Sequence, residues 1–165
     1  MEDHRFSRVT QTESQSILSE HSALAGIISE ICEQSRLLLN HKAERQTCEI
    51  ARISDLLRQL SEMSKLHFEH EEQIMMAMDY PSLKLHKRDH EHLLECLYDF
   101  TCQLEIGKIK LSNDFGANLQ SWLNFHIRKY DDVYMALIRH LGNSNLGANE
   151  GTLAQGHASS DLKDP

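Results

Sequence analysis

Helix-breaking residues are almost absent from the first 140 residues of this 165-residue chain. Proline occurs there only at Pro81, and glycine only at Gly26, Gly107 and Gly116. Proline and glycine are the residues that most strongly interrupt a helix, and between them apolar residues recur at three- and four-residue spacing. The sequence therefore predicts long amphipathic helices, and it has no alternating pattern of the kind that marks a β-strand.

Four such helices are predicted, and their short connections indicate an all-α, up-down-up-down four-helix bundle. The predicted helices span 12–39, 44–78, 82–106 and 112–141. The bundle domain is expected over 12–141, after a flexible segment at 1–11. Residues 142–165 are rich in Gly, Asn, Ser and Asp and lack the apolar content of a packed core, so a disordered tail is predicted there.

The breaks between the helices have local chemical causes. Asp79-Tyr80-Pro81 is predicted to end the second helix, because the residue before a proline is disfavoured in the α region. Gly107 is predicted to end the third helix, and Ser112 with Asn113 to cap the fourth.

Charge and hydropathy limit the partners of the chain. The formal net charge is −8, and no cluster of Lys and Arg offsets it, so we expect no nucleic-acid binding. No apolar stretch approaches the roughly 18 residues of a membrane span, and the N-terminus lacks the pattern of a signal peptide. A cytoplasmic protein without membrane insertion is predicted. The cysteines form no Cys-x-x-Cys pair and are interpreted as reduced core residues.

Histidine is the residue in excess, with 11 in 165. Residues four apart lie on one face of an α-helix, and His67 with Glu71, and His86 with His90, have that spacing. Either pair alone is typical of a solvated helix surface. His70 is interpreted as a surface residue rather than as a hydrogen-bond partner of a neighbouring ligand.

The depth of these pairs in the bundle distinguishes them from surface residues. The pair on the second helix is centred on residue 69 and the pair on the third on residue 88, so both lie nine or ten residues from the Tyr80 turn. His126 and Asp131 lie about as many residues after Gly107 as the pair on the third helix lies before it. His21 lies as far before the break between the first two helices as the pair on the second helix lies after it. Antiparallel helices therefore bring all these residues to one level of the bundle.

The five-residue separation of His126 and Asp131 predicts a local irregularity in the fourth helix. Five residues turn a regular α-helix by about 500°, which leaves the two side chains about 140° apart. A π-type bulge, which adds a residue to one turn, would bring them together.

Five histidines and two carboxylates cannot face one core without partners, because each unpaired buried group costs several kcal/mol. A metal centre removes this cost. Seven protein ligands are too many for one ion and suit two. If both carboxylates and an oxide or hydroxide bridge two six-coordinate ions, one coordination position remains open.

The motifs resemble those of the hemerythrin family in its bacterial form. The resemblance rests on His67-Phe68 followed by Glu71-Glu72, on Tyr80-Pro81, His86 and His90, and on Trp122, His126-Ile127 and Asp131. It covers about residues 66–132, and on the first helix it rests on His21 alone. It implies two non-haem irons with an oxo or hydroxo bridge, bridged also by Glu71 and Asp131, and reversible binding of dioxygen at one open iron position.

Three residues beside His126 are candidates for the wall of the dioxygen pocket. Ile127 follows this histidine, and Trp122 and Leu123 lie about one turn before it. These apolar side chains are expected to keep water from the bound gas.

The function predicted from the sequence is carriage, storage or delivery of dioxygen, without enzymatic turnover. Ferritin-like di-iron sites use Glu-x-x-His motifs, and no histidine here has a glutamate three residues before it. One alternative is an oxygen or redox sensor that acts through an unidentified partner protein. Another is a di-iron enzyme, such as a peroxidase, a nitric oxide reductase or a protein that repairs iron centres.

Overall fold

A computed structural model describes residues 3–40, 43–112 and 114–140, with side chains described at 12–38 and from 47 onward within these ranges. Its elements are α1 (Asp3–Asn40), α2 (Ala43–Ala77), α3 (Leu83–Glu105), α4 (Phe115–His126) and a π-helical turn (Ile127–Asp131). The chain then returns to α-helix over residues 132–140. We call residues 115–140 the fourth helix. The predicted all-α four-helix bundle is confirmed, whereas the predicted tail lies outside the described residues.

Two helix starts differ from the sequence prediction. α1 begins at Asp3 instead of near residue 12, since residues 3–11 contain no proline or glycine that would interrupt it. α4 begins at Phe115, and its N-cap is Asp114. The Asn118 amide donates to the Asp114 carbonyl at 2.8 Å, the first α-type bond of the helix. The prediction that Ser112 caps this helix is therefore wrong.

Two helices end in the same left-handed cap. Gly107 has a φ of 70° after α3, as predicted for a C-terminal glycine. The Gly107 amide donates to the Leu104 carbonyl at 3.0 Å, and the Lys108 amide donates to the Gln103 carbonyl at 2.9 Å. Asp79, with a φ of 50°, has the equivalent position after α2. These tight ends allow α2 with α3, and α3 with the fourth helix, to run antiparallel.

The apolar core has two unequal parts. The smaller lies toward the Tyr80 turn and consists of Ile17, Ile74, Met75, Tyr134, Met135 and Ile138. The larger fills the other side and includes Leu24, Ile28, Ile31, Ile53, Leu57, Leu60 and Leu123. Along α1 and the fourth helix, His21, His126 and Asp131 separate residues of the first part from residues of the second. The polar residues predicted to meet thus lie between two apolar regions.

All four cysteines are free. Cys32 is half-buried and packs against the larger core, as expected, whereas Cys102 is half-buried outside that cluster and Cys48 and Cys96 are exposed, so the expectation of a core position is wrong for these three. Within the described ranges, no helix is both long and apolar enough to cross a bilayer. The cytoplasmic location stays a prediction.

Gly116 lies where α4 closely approaches α1. A Cβ atom added to Gly116 would lie 2.8 Å from the Cα of Cys32 and would also overlap the Cys32 sulfur. Because one of these atoms belongs to the backbone, a side-chain rotation cannot make room. Gly26, in α1, has no such neighbour within 4 Å of its added Cβ.

We expect Gly116→Ala to destabilise the metal-free protein by about 1–3 kcal/mol, because the two helices must move apart. Gly26→Ala is the matched control and should stabilise it by about 0.5–1 kcal/mol, since alanine is the better helix former. Urea unfolding followed by circular dichroism measures both changes. Shifts of the same sign in the two variants would contradict a tight contact at Gly116.

Candidate metal centre

Two groups of donor atoms meet inside the bundle. In each group the donor atoms lie within 4.8 Å of one another. One group is formed by His21, His67, Glu71 and Asp131, and the other by Glu71, His86, His90 and His126. All seven residues predicted from the sequence are thus brought together, and Glu71 belongs to both groups.

Each element contributes donors according to its local geometry. His67 and Glu71 lie one turn apart on α2, and the two histidines of α3 have the same spacing. On the fourth helix, His126 ends the α-helical part and Asp131 ends the π-helical turn. The predicted π-type irregularity is confirmed, because the wider turn aims both side chains at the same centre.

The two oxygens of Glu71 face different histidines. Its Oε1 lies 3.4 Å from His67 Nε2 and 3.8 Å from His21 Nε2. Its Oε2 lies 3.3 Å from His90 Nε2 and 3.8 Å from His86 Nε2. One fully buried carboxylate therefore separates the histidines of α1 and α2 from those of α3.

Asp131 also spans the two sides of the centre, through a partly different set of histidines. Its Oδ2 lies 3.2 Å from His21 Nε2, whereas its Oδ1 lies 3.2 Å from both His86 Nε2 and His126 Nε2. The centre thus has a two-histidine half, with His21 and His67, and a three-histidine half, with His86, His90 and His126. The oxygens of both carboxylates are shared between the halves.

Many donor atoms of the centre are buried without a hydrogen-bond partner in the described part of the chain. They are His21 Nε2, His67 Nε2, His90 Nε2, Glu71 Oε2 and both oxygens of Asp131. Unsatisfied buried polar groups are rare because each costs about 1–3 kcal/mol. Imidazole nitrogens and carboxylate oxygens are also the donors that suit iron or zinc. The residues therefore fit a metal centre.

In the metal-free centre, the close packing of ionisable side chains shifts the pKa values of His21, Glu71 and Asp131. Burial opposes a charge on His21, but Asp131 and Glu71 outweigh it and raise the pKa of His21 to about 9. Burial also opposes ionisation of Glu71, yet contacts from His21 and His90 lower its pKa to about 2. The histidines around Asp131 hold its pKa well below the ordinary range against the same effect of burial. Both carboxylates are therefore ionised at neutral pH, and His21 carries a proton.

Three further carboxylates hold the outer nitrogens of the histidines. His67 Nδ1 lies 2.8 Å from Glu20, His90 Nδ1 lies 3.1 Å from Glu72, and His126 Nδ1 lies 3.1 Å from Asp89. A proton on Nδ1 that is donated to a carboxylate leaves the Nε2 lone pair free to face the centre. We call Glu20, Glu72 and Asp89 the anchor carboxylates. Sequence reasoning missed all three, although each is the immediate neighbour of a predicted ligand.

His70 is linked to the centre through an anchor carboxylate. Its Nδ1 lies 2.8 Å from Glu20 Oε1, while the other oxygen of Glu20 accepts from His67. The interpretation of His70 as a simple surface residue is therefore incomplete, because it is half-buried and pairs with a residue that holds His67.

Aromatic residues fix the remaining faces of the centre. The Phe68 ring stacks on His90 with centroids 3.9 Å apart, and the Tyr130 ring stacks on His86 at 5.0 Å. The hydroxyl of Tyr134, which is fully buried, donates to Glu71 Oε1 at 2.7 Å. Burial and the charge of Glu71 raise the pKa of Tyr134, so its hydroxyl stays protonated as a donor.

The residues predicted to form the dioxygen pocket lie on the side of the larger core. Leu123 is buried, and Trp122 and Ile127 are partly buried and pack against the same cluster. That cluster includes Leu24, one turn after His21 on α1. Trp122 also reaches an apolar cavity between α3 and α4.

The chain belongs to the hemerythrin family, since residues 12–138 match the hemerythrin HHE cation-binding domain. Bacteriohemerythrin of Stenotrophomonas maltophilia is 29% identical over 98 residues, which cover 59% of this chain and 63% of that protein. The chain thus spans less than two thirds of the length of this relative. Bacteriohemerythrin of Pseudomonas aeruginosa is 27% identical over 104 residues, 62% of this chain and 67% of the relative. No solved structure matches the chain significantly.

We expect Asp89→Asn to weaken iron retention about tenfold, because second partners of metal-bound histidines contribute 10- to 100-fold to affinity. Asparagine keeps an acceptor oxygen for His126 but loses the charge, so Asp89→Ala should weaken retention further. Competition with a chelator measures the affinity, and exposed Asp99→Asn on the same helix is the control. Equal retention in all three variants would mean that Asp89 does not act through His126.

Proposed function

We propose that the chain is a non-haem di-iron protein that binds dioxygen reversibly and carries, stores or delivers it. The observation that supports this most is the unequal division of histidines by two shared carboxylates. In the three-histidine half, His86, His90 and His126 would hold one ion together with one oxygen of each carboxylate, which makes five protein donors.

The two-histidine half is one ligand short of the same set. His21 and His67, with one oxygen each from Glu71 and Asp131, would give the second ion four protein donors instead of five, so the position without a histidine could take an outside ligand. A small diatomic molecule fits such a position. When bound, the two irons would supply the electrons for reversible dioxygen binding.

The donor set favours binding over oxidative turnover. Anionic oxygen donors stabilise the high oxidation states of iron that activate dioxygen, whereas neutral imidazoles favour lower states. Five of the seven proposed ligands are histidines, and only Glu71 and Asp131 are anionic.

The protein's own apolar residues would protect the bound gas. Leu24 lies one turn beyond His21 on α1, and Leu123 and Ile127 belong to the same packed region. Their side chains offer no hydrogen bond to water, so they keep the open side of the centre dry. The hydroxyl of Tyr134 is held by Glu71 at 2.7 Å on the opposite side, toward the smaller core.

The absorption spectrum of the iron-loaded protein tests this function. Reduced protein should acquire a visible band in air and lose it again under argon, over several cycles. Metal analysis of the same sample should give two irons per chain. A spectrum that changes once and does not return, or turnover of peroxide or nitric oxide by the reduced protein, would contradict reversible carriage.

We expect Leu123→Asn and Ile127→Thr to speed loss of the oxygenated band in air by about tenfold or more. A polar side chain in the pocket wall would admit water, and exclusion of water is what protects a reactive bound species from side reactions. Each replacement is close in size to the original residue, so the bundle should remain folded. Leu66→Asn, at an exposed position of α2, is the control. If all variants decay at the wild-type rate, Leu123 and Ile127 are only packing residues.

A further inference from the structure

A second feature of the bundle is an apolar cavity of about 190 Å³ in the cleft between α3 and α4. Within the described residues, these two helices pack against each other less closely than the other neighbouring helices do. The ring of Phe100 stacks on Phe115, with centroids 4.4 Å apart, and both rings line the cavity. The rest of the lining comes from Leu93, Cys96, Leu97, Leu119 and Trp122.

The lining decides which molecules suit this cavity. No charged side chain lines it, and the Cys96 thiol is a weak hydrogen-bonding group. A ligand with strong polar groups would lose its hydration there without gaining partners. This cavity is half open to solvent, but its volume is comparable to that of closed apolar cavities of about 150 Å³ that take up benzene or xenon, so a small uncharged gas fits it.

The cavity lies one helical turn from the candidate metal centre. Leu93 follows His90 by three residues on α3, and Trp122 precedes His126 by four residues on α4. Trp122 also packs against the core cluster that contains Leu123 and Ile127. Its ring therefore contacts both the cavity and the cluster that includes the residues we propose to shield the gas.

We propose that this cavity is a docking site for dioxygen on its way from solvent to the buried centre, with the Trp122 ring as the partition. This inference rests on the proposed function. An apolar cavity concentrates a nonpolar gas near the centre, and movement of a single ring then suffices to pass it inward. The loose packing of α3 against α4 lowers the cost of such movement in this cleft.

Xenon tests the cavity without any metal, because it is an apolar gas that does not react. Xenon added to metal-free protein should shift the methyl NMR signals of Leu93, Leu97 and Leu119, and should leave those of exposed Leu18 and Leu66 unchanged. Leu119→Phe and Cys96→Met each fill the cavity from a different helix. Each should weaken the xenon response at Leu93 and Leu97 by about fivefold or more, since the filled volume no longer accepts the atom.

Stopped-flow mixing of reduced, iron-loaded protein with dioxygen tests the route. A blocked route slows entrance and exit alike, so both cavity-filling variants should lower the association and dissociation rates by about the same factor, of order fivefold, and leave the affinity unchanged. Leu66→Phe, the same substitution at an exposed site, should leave both rates unchanged. Circular dichroism spectra like that of the wild type would verify that the variants fold.

Two results would overturn the inference. Absence of a xenon response in the cleft would show that the cavity does not take up an apolar gas. An apolar side chain of a partner protein would then be its occupant. A xenon response combined with unchanged dioxygen rates in both filled variants would show that the gas takes another path. Failure of the proposed function is distinguishable from both, because the wild-type protein would then form no oxygenated band.

Discussion

Replacing Glu71 with alanine is expected to abolish iron binding in both halves of the centre at once. Glu71 offers Oε1 to the two-histidine half and Oε2 to the three-histidine half, so one substitution removes a ligand from each proposed ion. Its loss also leaves the buried hydroxyl of Tyr134 without an acceptor. Iron content should fall from two ions per chain to near zero.

Metal analysis after gel filtration measures this loss. The matched control is Glu69→Ala, two residues earlier on α2, where the carboxylate is exposed and pairs with Lys65 at 3.9 Å. Glu69→Ala should retain both irons. One tightly held iron in Glu71→Ala would contradict shared ligation, because it would mean that one half binds metal independently of the carboxylate.

Iron loading is expected to raise the melting temperature of the protein by about 10 °C or more. A ligand present at 1,000 times its Kd stabilises the folded state by about 4 kcal/mol, and each kcal/mol shifts the melting temperature of a chain of this size by about 2–4 °C. The physical source is the set of buried donor atoms that have no hydrogen-bond partner in the described part of the chain. Calorimetry of metal-free and ferrous protein under argon measures the increment.

The increment should grow from pH 6 to pH 8. His21 has a pKa of about 9 in the metal-free protein, so iron must displace its proton, and each pH unit below 9 costs about 1.4 kcal/mol. The raised pKa also stabilises the metal-free fold fully below pH 6.5, and this contribution disappears as the pH rises toward 9. These are two descriptions of the same His21 proton, so the increment grows by up to about 1.4 kcal/mol per pH unit below 9. An increment that shrinks with pH, or one that persists in Glu71→Ala, would contradict this origin.

The residues that face the centre could be predicted from the sequence because helical geometry fixes them. His67 with Glu71, and His86 with His90, follow from four-residue spacing, and their common level follows from counting residues to the turns. The π-helical turn was predictable for a similar reason, since His126 and Asp131 point apart in a regular helix. Periodicity and distance along the chain were sufficient for these residues.

The anchor carboxylates could not be predicted in this way, because each serves a different helix from the one that carries it. Glu20 is next to His21 in sequence but accepts from His67, and Asp89 is next to His90 but accepts from His126. Their partners depend on how far each helix is rotated about its axis, which spacing within one helix does not determine. The usable signal was an acidic residue directly beside a ligand.

The close contact of Gly116 with Cys32 also could not be predicted from the sequence. A glycine near the start of α4 fits a loop as well as it fits a close crossing, and only the packing of α1 against α4 distinguishes them.

The anchor carboxylates link metal binding to the correct alignment of the four helices. The carboxylate on α1 holds a ligand of α2, the one on α2 holds a ligand of α3, and the one on α3 holds a ligand of the fourth helix. Slipping any helix by one residue rotates its side chains by about 100°, which turns its own ligands away from the centre. On α1, α2 and α3 the slip also releases the ligand that the anchor carboxylate of that helix holds, so every such error loses at least two of the seven proposed ligands. Metal uptake would then discriminate between correctly and incorrectly aligned chains without any additional proofreading component.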